Sequence, residues 1–168
     1  IITKSESRDL LHIISVQGHG AYPTERVFKD PYTAVKAKDE ATRWKYEYYV
    51  NELHEMDEFT GDLLQKIEDS GEPTIVLIYG DHIPALDIKE ADYGTGDLYQ
   101  TRYVIWDNIG LKKQDKDITS YEVTADILKR AGLGHQGVIF DYEQTADRNS
   151  KNYSKNLKAL AYDMLYGK

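Results

Sequence analysis

The sequence predicts an α/β protein with a mixed sheet flanked by helices. Two kinds of segment lead there. Short apolar runs rich in β-branched residues and bounded by charge or glycine recur at 10–16, 74–79 and 103–106, and each reads as a buried strand. Between the first two lies a long stretch, 39–69, that lacks proline and holds a single glycine, Gly61. The resulting order of strand, long helix, strand, strand, helix, helix is an α/β pattern with at least one parallel crossover.

Each element has its own local reason. Leu10 to Val16 (LLHIISV) is a compact apolar run between charged KSESRD and the glycines that follow. A loop rich in Gly, Pro and Asp then runs from Gln17 to about Pro31. In the long helix Tyr49, Leu53, Met56, Thr60, Leu63 and Ile67 return at three- and four-residue steps, which places them on one helical stripe. Ser70, Gly71 and Pro73 supply its stop. The strand Thr74 to Tyr79 leads into a polar, glycine-containing loop through Gly96, and Tyr103 to Trp106 (YVIW) forms the next strand. Thr119 to Ala131 reads as a helix with Thr119 or Ser120 as N-cap, Glu122 in the first turn and Gly132 at its close. Asn152 to Tyr166 is a terminal helix whose stripe is Leu157, Leu160, Ala161, Met164 and Leu165.

Composition removes several classes of function. The 168 residues, 40% of them hydrophobic, suit about one domain. Acidic residues outnumber basic ones 29 to 21, giving a net charge of -8, which opposes a nucleic-acid groove. No apolar run is long enough to span a membrane, and the start carries no targeting pattern. With no cysteine, disulfides, thiolate zinc sites and cysteine nucleophiles are excluded within the chain. A start at Ile1 rather than Met reads as a piece cut from something longer.

Chemistry concentrates where loops leave the predicted strands, the edge at which open α/β sheets bind ligands. QGHGAYP carries His19 after the first strand, and YGDHIP carries Asp81 and His82 after the second. If the long helix is a right-handed crossover, the two strands are parallel and both loops open on one edge. A carboxylate beside an imidazole suits manganese, zinc or iron better than calcium. Neighbouring residues on an extended strand point apart, so the pair requires a tight turn, which Gly80 permits. Two donors do not close a metal site, and a turn with a capping acid and a surface histidine fits the same residues. His12, His54 and His135 read as structural or solvated. Neither GxSxG, a Walker loop nor GxGxxG after a strand occurs, and GTGD at Gly94 to Asp97 has no helix behind it. The acidic runs KDEAT and LHEMDEF read as the solvated helix face, and WKYEYY, 44–49, as packing against the sheet rather than a sugar site.

The run YYVNELHEMDEFTGDLLQKIEDSGEPTIVLIYGDHIPAL, 48–86, resembles the C-terminal part of the lipoteichoic acid synthase-like sulfatase family of the alkaline phosphatase superfamily. Its helix pattern Y-x-N-x-x-x-x-x-D, a later leucine pair and the signature Y-G-D-H-x-P are present as Tyr49, Asn51, Asp57, Leu63, Leu64 and Tyr79 to Pro84. VQGHGAYP is similar to the family's upstream loop, LYQTRYVIWDN to its T-P-x-x-I-W-x-N strand, and LAYDMLYGK to its ending. Gly18 stands where the family often has Asn, and Arg102 where Pro is usual.

The resemblance implies that residues 1–168 are a single partial domain, the C-terminal portion of an alkaline phosphatase/sulfatase-like sandwich. It further implies a membrane-anchored parent acting on the extracellular face of the cell membrane. There a divalent metal, commonly Mn with Mg or Zn as alternatives, activates a threonine that takes glycerophosphate from phosphatidylglycerol and passes it to a cell-envelope polymer. Asp81 and His82 map onto metal ligands, and His19 onto the histidine that meets the substrate phosphate. The nucleophile and the remaining acidic ligand match no position here, so the chain alone is expected to be inactive and to bind divalent metal weakly or not at all. The same superfamily holds sulfatases and phosphoethanolamine transferases, and a non-catalytic extracellular binding module is the reading from a different class.

Overall fold

The computed structural model describes residues 8–134 and 137–167; His135 lies outside them. The architecture is α/β. Helix α1 spans Glu40–Ser70, strand β1 Ile75–Tyr79, strand β2 Tyr103–Asp107, and helices α2, α3 and α4 Val123–Arg130, Val138–Thr145 and Tyr153–Tyr166.

The strands form a two-stranded sheet. The Gly80 amide donates to the Arg102 carbonyl (3.1 Å), and the Asn108 amide to the Thr74 carbonyl (3.3 Å). Partners that rise in one strand as they fall in the other make the pair antiparallel. Residues 10–16 do not form the expected strand. They are non-helical and exposed, Leu10 by 93% and Ile14 by 80%. A strand requires a neighbour to take up its amides and carbonyls, and among the described residues none pairs with this run. The expected parallel crossover through α1 therefore falls away, since its first strand is missing.

The chain divides into two compact units, Ile1–Glu72 with Leu77–Ile105, and Pro73–Val76 with Trp106–Lys168. The first is organised by α1. Asp39 caps it, accepting from the Thr42 amide (2.8 Å) and hydroxyl (3.0 Å), and Gly71 ends it in the left-handed conformation at φ 67°. Ile67 and Leu86 are buried here, along with two polar residues, Glu47 and Asn51. Their polarity is satisfied by backbone. Asn51 accepts from the Thr33 amide (3.1 Å) and donates to the Thr33 carbonyl (2.9 Å), while Glu47 accepts from the Val35 amide (3.1 Å). An irregular segment with no strand partner is thus held flat against the helix.

In the second unit a 3₁₀ turn, Ser120–Glu122, starts α2 with a capping box between Thr119 and Glu122. Helix α2 packs on α3, and α3 on α4. Ala125 and Tyr153 are buried around the Glu122 carboxylate, which Thr119, Arg148 (3.3 Å) and Tyr153 (3.4 Å) contact. Helix α3 has no counterpart in the sequence reading. Its start, GVIF, offers no capping side chain and opens on β-branched and aromatic residues, which are weak helix signals.

Candidate active site

Strand β1 delivers Tyr79 and Gly80 to a bend at Asp81 and His82. The bend does not depend on a left-handed glycine, because Gly80 is outside the positive-φ positions of the chain. Instead the Asp81 carboxylate accepts the His82 amide at 2.9 Å, a local turn that turns both side chains outward. Asp81 is 79% and His82 64% exposed at the side chain, and His82 Nε2 lies 3.7 Å from Asp81 Oδ1.

His82 Nδ1 is 2.9 Å from the Ile83 carbonyl, and His19 Nδ1 is 2.6 Å from the Gly20 carbonyl. A carbonyl can only accept, so in both rings Nδ1 is the donor toward it, which leaves Nε2 for another partner. The two rings meet edge to face with centroids 6.4 Å apart. They line one cavity of about 390 Å³ together with Tyr22, Lys45 and Ala85.

His19 reaches this place without a strand beneath it. Gly18, at φ 79°, turns the chain, and a Cβ there would sit 3.3 Å from the Tyr49 ring of α1. Tyr22 donates to the Gly18 carbonyl (2.7 Å) and packs edge-on against Tyr49, with centroids 6.0 Å apart. Burial raises the Tyr22 phenol above its ordinary pKa, partly offset by the Ala85 amide. The same tyrosine therefore touches the His19 loop and the loop that follows His82. The left-handed φ of Gly18 is one that Asn also accepts.

Lys45 and Tyr22 escaped the sequence reading. A lysine on a charged helix reads as solvated, and only the return of the 85–87 segment to α1 gives it a neighbour. Lys45 Nζ lies 3.2 Å from Asp87 Oδ2, and Tyr46 donates to the Leu86 carbonyl at 3.3 Å.

The donor set suits a divalent metal as far as it goes. A carboxylate oxygen and an imidazole Nε2 whose Nδ1–H is fixed by a carbonyl form the usual outer-sphere arrangement of a histidine ligand. Among the described residues no group of three or more His, Asp or Glu side chains could hold a metal ion.

Two imidazoles on one cavity, with a carboxylate beside one of them just past a strand's carboxyl end, make an arrangement able to take part in hydrolase or transferase chemistry. The sulfatase family model matches residues 1–133, and the chain belongs to that family, whose members generally use a divalent metal. The chain is also 25% identical, over 195 aligned positions, to a protein of Rhizobium meliloti (strain 1021) named for cyclic β-1,2-glucan modification. That alignment takes in 92% of this chain and 30% of the relative, so the chain spans under a third of the relative's length. No solved structure matches. Among the described residues no helix is long and apolar enough to cross a membrane.

Proposed function

We propose that the chain supplies the metal- and phosphate-binding corner of a phosphoglycerol transferase, which moves glycerophosphate from a phospholipid head group to a cell-envelope polymer on the extracellular face of the membrane. Residues 1–168 then act as one part of a larger sulfatase-like catalytic domain, with the nucleophile supplied from outside this chain. The observation that carries this reading is that His19 and His82 line one cavity, with the Asp81 carboxylate 3.7 Å from His82 Nε2, in a sulfatase-family chain. The glucan in the relative's name supports a polysaccharide acceptor over a small sulfate ester.

In this reading Asp81 and His82 Nε2 hold a divalent metal, Mn by the family resemblance, with Mg or Zn as alternatives. When bound, such a metal supplies Lewis acidity to the phosphoryl oxygens. The chain's own residues do the positioning. The Ile83 carbonyl keeps His82 Nδ1 protonated and its Nε2 outward, and Asp81 is steadied by the His82 amide. His19, anchored through Nδ1 to Gly20, presents Nε2 to the phosphate.

The test uses the full-length protein that carries this chain and follows labelled glycerol from phosphatidylglycerol into polymer. Asp81→Ala and His82→Ala are each expected to lower turnover by more than about tenfold. Smaller losses, or no transfer by the unaltered protein, would sink the assignment.

A further inference from the structure

Among the described residues, Lys45 is the one Lys or Arg on the wall of the cavity that His19, Tyr22 and His82 also line. It comes from α1, not from either of the loops that carry the histidines. Its position is set by neighbours: Tyr46, the next residue, bonds the Leu86 carbonyl, so the helix and the 86–87 backbone are tied beside it. Its ammonium is paired with Asp87, whose side chain is 85% exposed and whose backbone is left-handed at φ 58°.

We propose that Lys45 is a specificity-determining anion contact of this cavity, neutralising the phosphate-ester oxygens of the substrate, with Asp87 as the counterion it exchanges. The proposal rests on the reading of the cavity as a phosphate-ester site. An ammonium has three donors, and Asp87 occupies one of them. An ion pair as open to water as this one is weak, so a phosphate that reaches Lys45 displaces the carboxylate at little cost. The need for a cation is local. The chain carries a net charge of -8, and both Asp81 and Asp87 stand at this corner, so an approaching phosphate meets repulsion unless a fixed positive charge faces it. A neutral ester gains nothing from Lys45, so the contact selects anionic substrates.

The experiment titrates inorganic phosphate into the 168-residue chain and follows the ring signals of His19 and His82 by NMR. Phosphate is expected to shift both rings. Lys45→Met should weaken the apparent affinity about tenfold, Lys45→Arg should keep it within about twofold, and Asp87→Asn should tighten it two- to threefold, in the range for one charge-assisted contact. Lys113→Met, which alters an exposed lysine paired with Asp115, should change nothing. A Lys45→Met chain that titrates like the unaltered one, or no shift of the rings in the unaltered chain, overturns the proposal. Loss of the Lys45 contact leaves the transferase reading standing, because that reading is decided separately by the turnover of the Asp81 and His82 variants.

Discussion

The Cα of Gly18 faces the ring of Tyr49 so closely that an added Cβ would stand 3.3 Å from Cε2, and this contact, with φ at 79°, sets where His19 begins. Gly18→Ala must therefore both enter the left-handed region and push against an aromatic ring. The expected cost is about 1–2 kcal/mol, with displacement of the His19 ring from His82. Gly18→Asn should cost clearly less, as Asn tolerates the same φ. Chemical denaturation gives the stabilities, and the loss of mutual ring-current shifts between the two histidines reports the displacement. Equal stability of Gly18→Ala and the unaltered chain would contradict this account of the loop.

Asn51 is the second place where α1 governs what lies against it. Replacing it by Leu keeps the volume roughly but abandons the partly buried bonds to the Thr33 amide and carbonyl and the buried one to the Glu47 carbonyl. Loss of these three bonds at a buried position makes this substitution cost about 1–3 kcal/mol. Asn51→Asp should fare no better, since a carboxylate cannot donate to either carbonyl. Urea unfolding, with amide exchange at Thr33 as the local probe, measures both effects.

Such residues mark the boundary of what the sequence shows. Gly71 was legible because its role is local, a residue free to take positive φ at the end of a helix, whereas the Asp39 cap was not singled out although its partner is the Thr42 amide three residues on. Strands β1 and β2 were legible because their apolar runs have each other as partners. Residues 10–16 have an equally good run and no partner, and composition does not distinguish the two cases. Glu47 and Asn51 look solvated on a helix rich in acids, since their partners are backbone groups of a loop that no periodicity announces. At the candidate site Asp81, His82 and His19 stood out by residue type and by the motif around them. Their meeting was expected from a parallel crossover, whereas the structure joins them through Tyr22, Gly18 and Tyr49. Lys45 was invisible for the same reason as Asn51.

The Glu122 cluster gives the second unit its pH dependence. Burial pushes the Glu122 carboxyl up, but the Thr119 hydroxyl, Arg148 and the Thr119 amide outweigh it and hold the group below the ordinary glutamate value. A depressed folded pKa contributes stability above the unfolded value near 4.5 that is lost as pH falls through the folded value. Glu143, raised by burial and by the Glu122 charge, acts in the opposite sense and is common to both proteins compared here. Arg148→Met is therefore expected to lower stability at pH 7 by about 1–2 kcal/mol and to narrow the difference from the unaltered chain below pH 4. At the alkaline end Tyr153, pushed up to about 12 by burial and by the charges of Glu122 and Glu143, keeps its contribution below pH 10 and loses it as pH rises toward 12. Thermal melts across pH 3 to 11 check both limbs, and a flat difference between the two proteins in acid would refute the role given to Arg148.

The run LLHIISV has a consequence for how this polypeptide behaves in a tube. Seven residues with no Asp, Glu, Lys or Arg, without proline and rich in β-branched side chains pair with no strand among the described residues and leave Leu10, Ile14 and Val16 exposed. That is the composition from which intermolecular strand stacks nucleate, and the adjoining charged KSESRD is the kind of flank that slows such growth. Shelf life, not fold, is what this segment governs: at high concentration the chain should thicken into β-rich aggregate that grows from residues 10–16, and Ile14→Lys should keep the solution clear.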